Sequence, residues 1–303
     1  MNELDAAGIT DPALRTSYAE CKRLNSLHGK TYYLATLLLP PAKRPFVHAL
    51  YGFARYADEI VDDLASTLSP QEKADVLRTW SSGVLSDLSA GKSNDAVGAA
   101  LVDTVSRFNI PHQHFVSFLH SMEMDLTVST YANYEALSEY VYGSAAVIGL
   151  EMVPILGAHS DDAYESAKKL GIAFQLANFI RDVGEDLDRR RIYLPLDELA
   201  AHGVTEEMLY QRVLTPEIIA ALKFQIARVR RLQTEAAPGI DLLHATSRPC
   251  IRAASELYCG IVDEVEAIGY DIFNKRAKTS TARRIRVAGK AYLQALSARR
   301  ALN

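Results

Sequence analysis

The sequence predicts an all-α protein. Helix-start signals recur along the chain, and long segments rich in Ala, Leu, Glu and Arg at helical spacing follow them. Alternating β-branched runs bounded by turn residues are scarce, which argues against a sheet. No Gly-, Ser- or Pro-rich linker and no internal repeat interrupts the chain. We therefore expect about ten helices in a single domain over residues 1–303.

Three helix starts can be assigned from capping residues. Residues 69–72 (SPQE) form a capping box with proline at the first helical position. Residues 160–162 (SDD) supply a cap and early negative charge, and residues 215–216 (TP) repeat the cap-plus-proline pattern. Each of these short motifs precedes a segment with helical periodicity, so we expect a helix to begin at each.

The composition excludes several classes of protein. The 303 residues include 33 Lys and Arg against 37 Asp and Glu, a net charge of −4 without the basic surplus of a nucleic-acid binder. Cys21, Cys250 and Cys259 form no CxxC pair, which argues against a disulfide framework or zinc site and favours the cytoplasm. We see no signal peptide, and the longest uncharged apolar stretches, residues 31–42 and 140–150, are shorter than the ~20 residues of a membrane span.

The first informative feature is a polar stripe on an apolar helix at residues 46–61. The stripe falls within an arc of ~60° at 100° per residue and consists of Tyr51, Arg55, Asp58 and Asp62. Nearly every other position of the segment is apolar, which is the pattern of a buried helix. Burying an uncompensated carboxylate is costly, so these acids need a basic partner or a cation.

A second polar stripe lies on an equally apolar helix at residues 170–183. It falls within an arc of roughly 80° and consists of Gln175, Asn178, Asp182 and Asp186. The two stripes share a design, because each places carboxylates on a helix that is otherwise suited to the interior. We therefore expect the two stripes to face each other across an internal cavity.

The spacing of the acids favours a cation over basic partners. Asp58 with Asp62, and Asp182 with Asp186, are i,i+4 pairs that repel each other on one helix face. Oxygen ligands without a nearby His or Cys suit Mg²⁺, with Mn²⁺ as an alternative, better than Zn²⁺. Because Mg²⁺ takes many of its ligands from water and phosphate oxygens, the stripes predict a site for a diphosphate ligand.

A diphosphate also needs basic donors. The candidates, chosen for their sequence adjacency to the acidic stripes, are Arg55, residues 28–31 (HGKT), residues 189–191 (RRR) and Arg276. The C-terminal residues 271–303 carry nine Lys and Arg against one acid. This segment is either a solvated helix face or a surface that faces phosphate or a membrane.

The chain resembles the squalene/phytoene synthase family of head-to-head prenyltransferases. Four sequence blocks carry the resemblance: residues 28–40 (HGKTYYLATLLLP), 51–63 (YGFARYADEIVDD), 140–149 (YVYGSAAVIG) and 171–195 (GIAFQLANFIRDVGEDLDRRRIYLP). A fifth, weaker block at residues 258–276 ends in GYDIFNKR. The blocks follow the family's order. The resemblance implies a single-domain class I isoprenoid synthase bundle of helices around a central cavity.

The resemblance also implies roles for individual residues. The first aspartate-rich motif corresponds to Asp58 and Asp62, and the second to Asn178, Asp182 and Asp186, both binding Mg²⁺-diphosphate. Positions that hold diphosphate oxygens correspond to His28, Lys30, Thr31, Tyr51, Arg55, Tyr258 and Arg276. Tyr140 matches a tyrosine that assists proton transfer, and Gln175 lies beside the reacting allylic groups. The apolar tunnel corresponds to Ser144, Ile148, Ala167, Gly171 and Phe174, where Ser144 departs from the expected apolar residue.

The implied reaction joins two prenyl diphosphates through a cyclopropylcarbinyl diphosphate. The DVGED form of the second motif, followed by RRRIYLP, is most similar to the phytoene-forming members. We therefore expect two geranylgeranyl diphosphates to yield phytoene for carotenoid biosynthesis, without NADPH. Two farnesyl diphosphates converted to squalene or dehydrosqualene are the alternative. A head-to-tail prenyltransferase or terpene cyclase would show DDxxD where this chain has DEIVD. From another class of protein, a non-catalytic helical assembly factor is the alternative.

Long prenyl tails partition into bilayers, which predicts contact with a membrane. We expect a cytoplasmic protein that touches the inner face of the membrane peripherally, through an apolar tunnel mouth or the basic C-terminal segment. Prenyl diphosphates are the expected partners, and nucleic acid is excluded. The sequence does not set the oligomeric state.

Overall fold

The computed structural model describes residues 2–62 and 67–301, without the side chains of Lys30, Thr31 and Asp62. All regular secondary structure in this part of the chain is helical, apart from two isolated β-bridges, which confirms the all-α prediction. The α-helices are α1 (Glu3–Ala6), α2 (Pro12–His28), α3 (Lys30–Thr36), α4 (Arg44–Asp62), α5 (Pro70–Ala90), α6 (Gly98–Phe108), α7 (His112–Thr127), α8 (Tyr134–Val141), α9 (Val147–Leu156), α10 (Asp162–Asp188), α11 (Leu196–Ala201), α12 (Glu206–Gln211), α13 (Pro216–Ala236), α14 (Arg248–Cys259), α15 (Ile261–Ala267) and α16 (Thr281–Arg300). Short 3₁₀ turns occupy Pro41–Lys43 and Ala237–Leu242, and a π-helical turn occupies Tyr142–Ala146.

The three predicted helix starts are confirmed. At α5 the capping box forms, with the Ser69 amide donating to Glu72 Oε2 at 2.8 Å. The N-cap threonine of α13 accepts its expected backbone hydrogen bond. Before α10, Ser160 Oγ accepts from the Asp162 amide at 3.2 Å, while Asp161 makes no capping hydrogen bond. The cap of α10 is therefore the serine, with the aspartates adding favourable charge at the helix start.

Two large apolar clusters surround the two acidic helices. In the first, α4 packs against α2, α6 and α7, and Phe53 meets Phe115 edge-on at 5.3 Å between ring centroids. In the second, α10 packs against α13, α14 and α15, and Phe179 stacks on Tyr193 at 4.2 Å. Helix α9 contacts both α4 and α10, so it connects the parts of the fold that carry the two acidic stripes.

Helices α9 and α10 approach each other at two glycines. A Cβ on Gly149 would lie 2.5 Å from the Ala167 carbonyl oxygen, and a Cβ on Gly171 would lie 2.5 Å from the Ala145 carbonyl oxygen. Neither backbone contact leaves room for a larger residue at the glycine. The two contacts show that the stretch leading into α9 runs antiparallel to α10, with its register fixed by the small residues.

One helical stretch, Tyr134–Leu156, is long and apolar enough to cross a membrane by length and composition. It is longer than the apolar run seen in the sequence because α8, the π-helical turn and α9 follow one another without a break. The share of its most apolar window buried inside the protein is 56%. Glu151 near its end is fully buried with no hydrogen-bond partner for either oxygen, and burial raises its pKa well above the usual range. Such burial is what a core helix shows.

Candidate active site

The described carboxylate of the first stripe is held by an arginine of the same helix. Arg55 Nη1 donates to Asp58 Oδ2 at 3.0 Å, and Arg55 Nε lies 3.9 Å from Glu59 Oε2. The Asp58 side chain is 49% exposed. Asp62 is the last residue of α4, and its side chain lies outside the described residues. The first stripe thus lies at the C-terminal end of α4 and reaches solvent.

A chain of aromatic rings connects this stripe to α10. We call it the aromatic chain: Tyr51 of α4 lies 6.2 Å from Tyr32 of α3, Tyr32 lies 5.0 Å from Tyr258 of α14, and Tyr258 lies 4.9 Å from Phe174 of α10, between ring centroids. Burial raises the pKa of Tyr51 to about 12 and that of Tyr258 well above its usual range, so both hydroxyls are neutral. The aromatic chain brings sequence blocks that are far apart into one region.

The first carboxylate of the second stripe, Asp182, contacts two arginines. Arg181 donates to both oxygens of Asp182, with Nε 2.7 Å from Oδ1. Arg276, from the segment between α15 and α16, donates from Nε to the same Oδ1 at 3.1 Å and lies 3.2 Å from Glu185 Oε1. The Asp182 side chain is 17% exposed. The structure therefore places Arg276 at the second acidic motif, and its role in holding diphosphate oxygens stays a prediction.

The rest of the second stripe is partly withdrawn from solvent. Burial, reinforced by the charge of Asp182, raises the pKa of Asp186 to about 7, although Arg189 and Arg191 act in the opposite direction. Asn178 Oδ1 is buried and has no hydrogen-bond partner. A buried oxygen atom without a partner beside two aspartates is an arrangement that a cation would stabilise.

These oxygen atoms fit a hard divalent cation. Among the side chains that the structure describes, which do not include that of Asp62, no group of three or more Asp, Glu, His or Cys residues is arranged to hold a metal ion. Mg²⁺ needs only one or two protein carboxylates when substrate phosphates supply the other ligands. The residues that would hold it are Asp182, Asp186 and Asn178 on α10 with Asp58 and Asp62 on α4.

Tyr140 is buried in a hydrogen-bonded cluster beside α10. Its hydroxyl donates to Asp125 Oδ2 at 2.7 Å, Tyr193 donates to Asp125 Oδ1 at 2.8 Å, and Arg191 Nη2 donates to the Asp125 carbonyl at 2.7 Å. Burial raises the pKa of Tyr140 well above its usual range, so the phenol is neutral. Sequence reasoning missed Asp125. Its only signal was an acid near the end of α7 with no second acid three or four residues away, since Glu123 lies two residues earlier and on another face of the helix.

The predicted tunnel residues occupy different surroundings. Ser144 lies in the π-helical turn with its Oγ buried and without a partner, and π turns often mark functional positions. Ile148 packs against the cluster around α4. Ala167 and Gly171 meet the backbone of the neighbouring helix, and Phe174 belongs to the aromatic chain. These residues therefore follow α10 and the helix beside it, away from the acidic end.

The remaining predicted residues lie near the start of α3 and on α10. His28 is exposed at the end of α2. Lys30 and Thr31 open α3, and their side chains lie outside the described residues. Gln175 is half-buried next to Phe174 on α10. Tyr32 on α3 places this segment beside the aromatic chain, so the predicted phosphate-binding stretch adjoins the site.

The structure is a bundle of helices in which α4 and α10 each carry an acidic motif, and this arrangement defines the class with which the chain is compared. A family model described as squalene/phytoene synthase matches residues 26–283, and the chain belongs to this family. Membership makes it a prenyltransferase of the head-to-head class that acts on prenyl diphosphates.

Relatives and solved structures agree with this assignment. The chain is 39% identical to a chloroplastic phytoene synthase of Narcissus pseudonarcissus, over 93% of this chain and 67% of the relative, and 38% identical to phytoene synthase 2 of Solanum lycopersicum, over 93% and 92%. The crystal structure of a dehydrosqualene synthase in complex with a ligand is similar with a TM-score of 0.84 and 28% identity, covering 94% of this chain and 98% of that chain. Squalene synthase HpnC from Alicyclobacillus acidocaldarius shares the fold, with a TM-score of 0.80 and 24% identity over 88% and 98%. The family and the isoprenoid synthase fold expected from the sequence are confirmed.

Proposed function

We propose that this protein is a phytoene synthase, which joins two geranylgeranyl diphosphates through prephytoene diphosphate in carotenoid biosynthesis. The observation that carries the proposal is the identity of 38–39% to curated phytoene synthases over 93% of the chain. The dehydrosqualene synthase structure is more distant at 28% identity. We infer in addition that residues 1–303 act as one catalytic domain.

The acidic end of the site is proposed to bind the two diphosphate groups. Magnesium, held by Asp58, Asp62, Asn178, Asp182 and Asp186, would supply Lewis-acid charge that weakens the C–O bond. Arg55 and Arg276 already lie beside these carboxylates, so each can turn its guanidinium to phosphate oxygens when a diphosphate enters. The same groups are proposed to bind Lys30 at the start of α3 and His28 at the end of α2.

The aromatic and apolar side of the site is proposed to protect carbocations from water. Tyr258, Tyr32 and Phe174 belong to the aromatic chain that links α4 to α10, and ring faces attract cations. Gln175 follows Phe174 on α10, where we place the reacting allylic groups. Excluding water here prevents the cation from being captured as an alcohol.

Tyr140 is proposed to accept the proton lost when the cyclopropane ring closes. Its phenol oxygen would take that proton as its own hydroxyl proton passes to Asp125 Oδ2, to which it is already hydrogen-bonded at 2.7 Å. The number of protons is conserved, and Asp125 ends as the neutral acid. Tyr193 and Arg191 hold Asp125 in place for this step.

The remaining proposals concern cofactors and location. We propose that Mg²⁺, or Mn²⁺ in its place, is the metal, and that no NADPH is needed because the last cation loses a proton. We also propose that the protein works in the cytoplasm and touches the inner face of the membrane without spanning it.

An assay of the purified protein tests the product. It is incubated with geranylgeranyl or farnesyl diphosphate and Mg²⁺, with and without NADPH, and the hydrocarbons are identified by mass. We expect a C40 hydrocarbon from geranylgeranyl diphosphate without NADPH. A C30 product alone would support dehydrosqualene or squalene synthesis, the second candidate, which the similarity to the dehydrosqualene synthase structure favours.

Two aspartate variants separate an enzyme from an assembly factor. If the protein were a non-catalytic helical assembly factor, Asp58→Ala and Asp182→Ala would leave its effect in cells intact. We expect both variants to abolish carotenoid formation in cells that depend on this protein for it, while the folded protein remains present.

A further inference from the structure

The outer face of α16 combines exposed apolar side chains with unneutralised basic charge. Ile285, Tyr292 and Leu293 are 67%, 53% and 68% exposed, and they lie on one side of the helix at i, i+7 and i+8. The opposite side is anchored by the buried small residues Val287 and Ala291, which face α14. The apolar side chains that remain outside are therefore not needed to attach the helix.

Basic residues flank these apolar side chains. Helix α16 contains six Lys and Arg and no acid, although the whole chain has a net charge of −4. Arg286, Lys290 and Arg300 are exposed, and the structure shows no ion pair for any of them among the described residues. We call the combined surface the α16 face: it consists of Ile285, Arg286, Lys290, Tyr292, Leu293 and Arg300.

Helix α16 packs against an element that carries part of the aromatic chain. Helix α14, on which α16 packs, carries Tyr258 and also contacts α3. At the end of α16, Arg299 Nη2 donates to the Leu38 carbonyl at 2.7 Å, just beyond α3. Helix α3 carries two further exposed side chains, Tyr32 at 46% and Leu34 at 65%. A surface that binds the α16 face would therefore lie near the aromatic chain.

We propose that the α16 face docks this protein onto the surface of an anionic lipid membrane. Basic side chains attract anionic headgroups, while Ile285 and Leu293 enter the boundary between headgroups and acyl chains and Tyr292 lies at that boundary. A second copy of the chain is disfavoured, because two basic faces repel each other, and a nucleic acid would leave the aliphatic side chains without a partner. The inference rests on the proposed function, since a lipid-tailed substrate gives membrane contact its use.

Vesicle binding tests the proposal. The full chain is sedimented with vesicles of phosphatidylcholine alone or with phosphatidylserine added, at low and high salt. We expect binding to the anionic vesicles that weakens as salt rises. We expect Arg286→Glu/Lys290→Glu to reduce that binding by at least about tenfold, because each basic residue near the surface contributes a factor of about five.

A matched pair of variants tests the apolar contribution. Ile285→Glu/Leu293→Glu should reduce vesicle binding at least about tenfold. The control Tyr210→Glu/Val213→Glu introduces the same charge at positions that are 46% and 59% exposed elsewhere, and it should retain markedly stronger binding. The proposal is wrong if the parent ignores anionic vesicles or if control and test variants lose binding equally. It is also wrong if Ile285→Glu/Leu293→Glu disrupts only a dimer seen by sedimentation and leaves vesicle binding intact.

An activity readout keeps this inference separate from the proposed function. With substrate dispersed in detergent, all variants should turn over at the parental rate, because the α16 face does not touch the reacting groups. With substrate in anionic vesicles, only the α16-face variants should slow. If the parent makes no hydrocarbon in detergent, the proposed function fails while the vesicle-binding result still decides the docking surface.

Discussion

The two acidic stripes have similar sequences but different electrostatic surroundings. On α4, Asp58 is 49% exposed and is paired with an arginine one turn earlier. On α10, Asp182 is 17% exposed and contacts two arginines, while Asp186 behind it has its pKa raised to about 7 by burial. The same i,i+4 spacing of aspartates therefore accompanies a half-exposed Asp58 on α4 and a partly desolvated pair on α10.

This difference indicates how the two halves of the site divide the work. A buried carboxylate that lacks compensation gains more from a cation than an exposed one, because the local dielectric is lower. We infer that the α10 stripe is the stronger part of the diphosphate site. The α4 stripe, nearer to water, completes the site when the substrate is bound.

The largest expected effect separates the two stripes directly. Asp182→Asn should reduce the rate of hydrocarbon formation by 10²–10³-fold or more, and Asp58→Asn by a smaller factor, because the buried position contributes more electrostatic stabilisation. Steady-state rates with geranylgeranyl diphosphate measure both. Glu165→Gln, at an exposed position of the same helix, is the control and should retain the parental rate. A greater loss in Asp58→Asn would reverse the comparison.

Tyr140→Phe probes the proton path behind the α10 stripe. The variant removes the hydrogen bond to Asp125, so we expect the turnover number to fall by about 10²-fold with little change in KM. Tyr131→Phe is a close control, because Tyr131 packs against Tyr140 and its buried hydroxyl has no partner. Equal losses in both variants would assign the effect to packing and not to proton transfer.

Asp186→Asn tests the desolvation of the α10 stripe through pH. The folded-state pKa of about 7 exceeds the ordinary value of 3.8, so between these values the folded protein binds more protons than the unfolded chain. Stability therefore falls as pH rises through this range, by up to about 4 kcal/mol in total. Urea unfolding without divalent ions should show that Asp186→Asn gains stability over the parent at pH 8 and much less at pH 5. A gain that is the same at both pH values would contradict the assignment.

Arg276→Gln tests the basic donor that the α10 stripe obtains from a distant segment. Loss of a charge-assisted hydrogen bond to the diphosphate should raise KM about tenfold or more. Arg252→Gln is the control, because Arg252 pairs with Asp241 in an exposed ion pair and should leave KM unchanged. An unchanged KM in Arg276→Gln would place this arginine outside the binding site.

The smallest expected effect concerns the aromatic chain between the stripes. Phe174→Leu removes one ring contact with Tyr258 and should lower the free energy of unfolding by about 1 kcal/mol. Phe224→Leu, at a position that is 43% exposed, is the control and should change stability less. Equal free energies of unfolding in the two variants would show that the ring contact between Phe174 and Tyr258 does not stabilise the fold.

Much of the site could be read from the chain because helical periodicity places polar residues on defined faces. Asn178, Asp182 and Asp186 lie on α10 as the spacing predicted, while the contact of Arg276 with Asp182 is visible only in the structure. Asp125 escaped prediction because no second acid lies three or four residues from it on the same face of α7. The outward orientation of Ile285 and Leu293 also could not be predicted, since it depends on which side of α16 packs against α14.

The sequence by itself determined the helices, their capped starts and the family, because capping, periodicity and motif spacing are local properties of the chain. Only the tertiary structure decided that Asp186 is partly desolvated while Asp58 is half-exposed, and that rings from α3, α4, α10 and α14 contact one another in sequence. The physical reason is that burial and dielectric depend on neighbours brought in from distant segments, which no local pattern specifies.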